Sequence, residues 1–224
     1  MKLKVILTGA TGMVGEGVLL ECLEHPKVEK VLMVNRKHCD LEHPKLAECL
    51  VPDFFKLDEF EKQLTGYDAC YFCAGVSSVG MKEPEYRRLT YDLTLHFAEK
   101  VAALNPKMTF IYVSGKATDS TEKGRVMWAR VKGETENALT RLPFKAVYNF
   151  RPGIMKPKPA QRNVNAYYKY FSWLYPILRA LSQNMASTIS EVGLAMINSV
   201  LIDYPKSILE VKDINELAKT HLMD

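Results

Sequence analysis

The chain has 224 residues, 47% of them hydrophobic and 25% charged, with a formal charge of +4. That length supports one sizeable core and leaves no comfortable room for a second domain. Positive and negative residues are interspersed with no lysine or arginine block, which gives nucleic-acid binding no support. Five cysteines, an odd number, do not suggest a disulfide framework. No stretch is apolar enough to span a membrane, and the opening apolar run is too short for a signal peptide. The expected compartment is the reducing cytoplasm.

Residues 3–7, rich in Val, Ile and Leu, read as a first strand. They lead into residues 8–17, TGATGMVGEG. Apolar residues then recur at Val14, Val18, Leu19, Cys22 and Leu23, which is helical spacing. Strand, glycine turn and helix are the context of a dinucleotide-binding loop. Gly9 permits a sharp turn, Gly12 a close approach to a pyrophosphate, and Gly15 close helix packing. The helix start offers unpaired N–H groups to an anion. The expected contacts are Gly9, Thr11, Gly12, Met13, Val14 and Gly15.

The spacing Gly9-x-x-Gly12-x-x-Gly15 resembles the loop of the extended and atypical short-chain dehydrogenase/reductase superfamily, the epimerase/dehydratase-like group that binds NAD(P). That resemblance implies an α/β, Rossmann-type doubly wound parallel sheet. Alternating strands and helices through Phe150 point the same way. The domain expectation is one unit over 1–224, with a core at 1–150 and a small substrate lobe over 151–224.

The second strand is expected at 31–35. Its tip holds Asn35, Arg36 and Lys37 and no acidic residue. An acid there accepts from the ribose 2′-hydroxyl of NAD, whereas arginine accommodates the 2′-phosphate of NADP. Arg36 and Lys37 therefore favour NADP(H) over NAD(H). His38 and His43 have no partner spacing for a metal site, so no metal is expected. A third strand is expected at 46–51. The resemblance places Asp53 toward the adenine amine, and Phe54 either flanks the ring or enters the core. A short helix starting at Asp58 ends near Gly66.

Residues 68–74 read as a fourth strand, continuously apolar after Asp68 as a doubly covered parallel strand is. Cys70 and Cys73 lie three apart in it and point to opposite faces, so buried thiols are favoured over a redox pair. Ala74 and Gly75 let the backbone pass near a cofactor, and by resemblance Cys73 stands where relatives carry asparagine. The loop 76–83 lies on the side where a substrate would enter. A long helix is expected over 84–105, where Asp92 and His96 are spaced to pair. A fifth strand follows at 108–114. Ser114 sits at its carboxyl end, where open α/β sheets place ligands. Similar enzymes use a serine here to bond the substrate carbonyl, and Ser114-x-Lys116 is like the Tat-interacting, NADPH-binding atypical members.

In active members of the superfamily the next helix carries Tyr-x-x-x-Lys. Here the stretch reads Trp128-x-x-x-Lys132-Gly133-Glu134. Lys132 matches the lysine that holds the nicotinamide ribose, but Trp128 occupies the tyrosine position. Indole N–H only donates and cannot relay a proton. A positioned acid–base group supplies ~10²–10⁴-fold in rate, so this departure removes the usual mechanism. Lys116, Tyr86, Tyr91 and Tyr167 are the candidate replacements.

A sixth strand at 146–150 runs into Arg151-Pro152-Gly153, which resembles the turn where extended members pass the nicotinamide; Pro152 and Gly153 are expected contacts. Residues 156–159, Lys-Pro-Lys-Pro, cannot be helical. The aromatic-rich stretch 165–181 leaves lobe packing, a dimer face or a membrane surface open. A helix at 188–201, a strand at 208–211 and a terminal helix at 214–222 capped by Asp213 complete the chain. Two functions compete: an oxidoreductase or sugar-epimerase relative using Ser114 and Lys132, and a non-catalytic NADPH sensor acting on a protein partner. The substrate is undefined, and the chain is expected as monomer or homodimer.

Overall fold

The computed structural model describes residues 2–164, 175 and 185–220. The chain opens with β1 (Leu3–Thr8), α1 (Met13–Glu24), β2 (Val28–Asn35) and β3 (Leu46–Leu50). A 3₁₀ turn at Asp58–Phe60 runs into α2 (Glu61–Leu64), and β4 (Ala69–Phe72) follows. Next come α3 (Glu83–Arg87), α4 (Leu93–Leu104), β5 (Thr109–Val113), α5 (Met127–Leu139) and β6 (Ala146–Arg151). The chain continues through β7 (Ile154–Lys156), β8 (Ala186–Thr188), α6 (Ile189–Leu201), β9 (Ile208–Glu210) and α7 (Val211–Leu217).

Seven strands form one sheet in the order β3-β2-β1-β4-β5-β6-β9, and every pairing is parallel. This is a Rossmann-type doubly wound sheet. Its strands alternate side chains between two buried faces. Val5, Leu7 and Tyr71 point into a core shared with α1 and α6, through Val18, Leu19, Val192 and Met196. Ile6, Phe72 and Phe110 point into a second core with Phe97 and Val101 of α4. Both faces are covered, which is why the strands read as apolar runs. The strand order reverses between β1 and β4, and ligands in open sheets bind at the carboxyl ends beside such a reversal.

Residues after Arg151 are tied into this framework. α6 packs on α1, and β9 adds the seventh strand beside β6. The start of α6 is fixed by a capping box: Thr188 Oγ1 accepts from the Glu191 N–H at 3.0 Å, and Glu191 accepts from the Thr188 N–H at 2.7 Å. Between β7 and α1 a strap anchors the helix start. Gln161 donates to the Met13 carbonyl at 2.6 Å, and Glu16 accepts from the backbone N–H groups of Arg162 and Asn163.

Several elements differ in detail from the sequence reading. The helix expected over 84–105 is interrupted by a π turn, Arg88–Asp92. Asp92 accepts from Arg87 at 2.9 Å, while His96 lies against the Phe55 ring, so the two do not form the spaced pair. The parallel ladder β7–β8 was not foreseen. The last helix begins at Val211 and ends at Leu217. Glu210 is its N-cap residue; Asp213 sits inside the first turn and accepts from the Glu210 N–H at 3.1 Å. The aromatic stretch at 165–181 lies outside the described residues, apart from Tyr175.

Candidate functional site

The glycine loop lies at the reversal point. Gly9 has φ +74°, a conformation that penalises any Cβ. A Cβ there would also stand 2.7 Å from the Cys73 and Ala74 backbone, because the ends of β1 and β4 cross closely. The Ala74 N–H donates to Thr8 Oγ1 at 3.2 Å across the same crossing. A Cβ on Gly15 would fall 2.1 Å from the Gly9 carbonyl oxygen, so Gly15 packs on the loop itself. Gly12 caps α1 with no side chain over it. The first-turn N–H groups of a 12-residue helix are thus left to face an anion.

At the tip of β2 a cavity of about 170 Å³ is walled by Gly9, Thr11, Gly12, Asn35, Arg36 and Phe54. Asn35 is buried and its Nδ2 has no partner among the described residues, a feature missed by the sequence reading. Arg36 is exposed, and among the described residues nothing pairs with its guanidinium. An apolar slot beside it is formed by Phe54, Leu89 and Leu93. Phe54 is buried and stacks on Phe97 at 5.5 Å. Lys37 and Asp53 line neither space. Asp53 instead holds its own turn, accepting from the Phe55 N–H at 3.0 Å.

A larger cavity of about 650 Å³ opens over the carboxyl ends of β4, β5 and β6. Val14, Ala74, Gly75, Ser114, Pro152 and Gly153 are all in its walls, together with Lys132. The two cavities share Cys73, Ala74 and Gly75, and so form one groove across the sheet edge. Burial pushes the Cys73 thiol up to about 12, which keeps it protonated and inert. Cys70 packs in the opposite core, as alternation requires.

Lys132 donates to the Ser114 carbonyl oxygen. Burial lowers its ammonium to about 8, against the nearby Glu136 carboxylate, which raises it. Beside it, the loop at Asp119 packs directly on α5 because Gly133 has no side chain: a Cβ there would meet the Asp119 carbonyl oxygen at 1.8 Å. The Ser114 hydroxyl donates to Glu136, which is 1% exposed. Glu136 also accepts from Arg151, through Nε at 3.0 Å and through a second guanidinium nitrogen. Arg151 reaches on to Glu210 at 3.2 Å and to Ser120. Of this Ser114–Glu136–Arg151 network the sequence reading singles out Ser114 and the Arg151-Pro152-Gly153 turn, but not Glu136.

Trp128 is half-buried and does not line the cavity, although Lys132 one turn later does. Tyr86 is 2% exposed and Tyr91 lies under the Arg87 guanidinium at 4.1 Å; neither reaches the cavity walls. Lys116 does line it. Tyr167 lies outside the described residues. Among those residues no cluster of three His, Cys, Asp or Glu is poised for a metal ion, and no helix is long and apolar enough to cross a membrane.

The glycine cradle, which any Cβ would fill, and the unpartnered Asn35 donor fit a dinucleotide lying along the groove. Its phosphates would meet the α1 start, and its nicotinamide end would enter the larger cavity beside Lys132. Comparison with known proteins agrees. Residues 5–124 match the NAD dependent epimerase/dehydratase family. Over 153 residues the chain is 29% identical to Protein HTATIP2 of Rattus norvegicus, covering 67% of this chain but only 62% of that protein. It is 26% identical over 206 residues to "Protein fmp52, mitochondrial" of Emericella nidulans, covering 88% of this chain and 87% of the relative. Among solved structures, the Helicobacter pylori ADP-L-glycero-D-manno-heptose-6-epimerase superposes with a TM-score of 0.65 at 16% identity, covering 97% of this chain and 81% of its own. MoeE5 in complex with UDP-glucuronic acid and NAD gives 0.66 at 16% identity, with 96% and 81% covered. Identities this low carry the fold alone. With strand order, glycine cradle and more than half of the sequence in agreement, the chain belongs to the NAD dependent epimerase/dehydratase family.

Proposed function

We propose that this protein is an NADP(H)-dependent oxidoreductase of that family acting on a small-molecule carbonyl or alcohol. One observation carries the reading: the cavity over β4, β5 and β6 is open, and Trp128 does not fill it. A filled cavity would favour the second reading, a sensor that reports cofactor occupancy to a protein partner.

A dinucleotide, when bound, would supply the hydride. The chain's own residues bind and orient. First-turn N–H groups of α1 would hold the pyrophosphate, and Arg36 beside Asn35 would hold a 2′-phosphate, a pairing that charge-assisted bonds favour. Lys132 has three donors and gives one to the Ser114 carbonyl, leaving two for the nicotinamide ribose and the cavity. Its lowered ammonium makes it a better proton donor near neutrality than an ordinary lysine. The five cysteines are all free, which supports a reducing compartment, the cytoplasm.

The test follows NADPH absorbance during incubation with a panel of aldehydes and ketones. Sustained oxidation with any of them supports the reading. Tight NADPH binding with no oxidation across the panel overturns it in favour of the sensor.

A further inference from the structure

We infer that Glu136 is a positioning residue for Lys132: through Ser114 it sets where the lysine presents its ammonium to a nicotinamide ribose. This rests on the reading that Lys132 holds that ribose.

Lys132 and Glu136 stand four residues apart on α5, so they share a helix face. Both converge on one residue of the β5 end. Lys132 donates to the Ser114 carbonyl, and the Ser114 hydroxyl donates to Glu136. The other acceptor near that hydroxyl, the Phe150 carbonyl, is at 3.2 Å. A carboxylate is also the stronger acceptor of the two. Ser114 is therefore gripped at its side chain by the same helix whose lysine rests on its carbonyl. Glu136 is itself fixed by Arg151 of β6, through Nε at 3.0 Å and through a second nitrogen. The residues after Arg151, Pro152 and Gly153, are cavity wall. The loop after β5 is pinned to them, because the Lys116 N–H donates to the Pro152 carbonyl at 3.0 Å. One carboxylate thus joins β5, α5 and β6 a single helical turn from Lys132.

Charge works in the same direction as shape. Among the described residues, no carboxylate side chain lines the cavity. Lys116, from the loop after β5, and Cys73, from the end of β4, share its walls with Lys132. Burial keeps Cys73 protonated, and likewise Tyr112 of β5 and Tyr86 of α3 beside α5. Asp119, in the loop packed on Gly133, spends its carboxylate on Thr121 and Gly124 of its own turn. Glu136, with Arg151 behind it, is the acid left to support an ammonium that burial disfavours. Glu136 is buried and lies outside the cavity walls. Its effect on a ligand therefore passes through Lys132.

The experiment titrates the full chain with NADP⁺ by calorimetry, from well below to above the Lys132 value of about 8. Wild type, Lys132→Met, Glu136→Gln and Ser114→Ala are compared. Wild type should bind more weakly as Lys132 sheds its proton, with a bend at about 8. Lys132→Met should bind several-fold more weakly and show no bend. Glu136→Gln should weaken NADP⁺ several-fold and move the bend down by about one pH unit, because the lysine loses its supporting charge. Ser114→Ala keeps that charge and cuts the tether, so binding should weaken several-fold with the bend still at about 8. A purely structural Glu136 would lower unfolding stability and leave affinity and bend as in wild type. That result for Glu136→Gln overturns the inference. Should Glu136→Gln not fold, Ser114→Ala decides, and an affinity within about twofold of wild type overturns it. Lys132→Met binding as tightly as wild type at every pH identifies the ribose reading, not the tether, as the failure.

Discussion

The Ser114 hydroxyl gives its proton to the Glu136 carboxylate, so the serine at the end of β5 is held as an acceptor. The same carboxylate is clamped by Arg151, and all three side chains are buried. The network links β5, α5 and β6 directly beneath the larger cavity. Removing one partner of a buried ion pair costs about 3–5 kcal/mol when the other is left unanswered, and Arg151 keeps Glu210 at 3.2 Å. Glu136→Gln retains the shape and loses the charge, so it is expected to destabilise by about 3 kcal/mol, at the lower end of that range. Urea unfolding with the slope held fixed checks it. A loss below about 1 kcal/mol, the size of an exposed pair, would mean that the pair is solvated.

Lys132 gives a pH dependence of definite sign. Its folded-state value, about 8, lies below the ordinary 10.5. Below the lower value both states carry the proton, and the buried charge is a constant penalty on the fold. Between the two values the unfolded chain holds a proton that the folded chain has shed, so stability rises with pH. Lys132→Met removes the penalty at all pH. The variant should therefore exceed wild type in unfolding free energy below about 8, and its advantage should shrink toward 10.5. Unfolding titrations of both proteins across that window measure it. An advantage that grows with pH would contradict the burial of the ammonium.

Trp128 stands one helical turn before Lys132 and outside the cavity walls. Trp128→Tyr is accordingly expected to leave NADPH affinity within about twofold, well under 1 kcal/mol. It should also leave any NADPH oxidation rate unchanged. A large rise in rate would show that this position does reach the reacting atoms.

Much of the fold was legible because its signals are local. β1, the glycine loop and α1 announce themselves by an apolar run, a turn and a 3.6-residue period. The crossing of Gly9 with Cys73 and Ala74 was anticipated only as small residues near a cofactor. The ladder of β7 with β8 was not legible, since three residues carry no period. Nor was Glu136, which sits among Thr135 and Asn137 on a helix whose composition reads as solvated. Its partner is Arg151, fifteen residues away in the chain. Asp53 matched a family position, yet the structure uses its carboxylate to close a local turn, a role that asparagine and aspartate commonly take. Asn35 was passed over beside Arg36 because its burial and missing partner are facts of packing.

The most direct measurement of the central claim is calorimetric titration of wild type and Arg36→Ala with NADPH and with NADH. One charge-assisted bond contributes roughly 1.5–3 kcal/mol, about ten- to a hundredfold in affinity. Wild type should bind NADPH tighter than NADH by about that factor, and Arg36→Ala should lose the difference while retaining its NADH affinity. Equal affinities in wild type, or NADPH binding untouched by Arg36→Ala, would contradict the account.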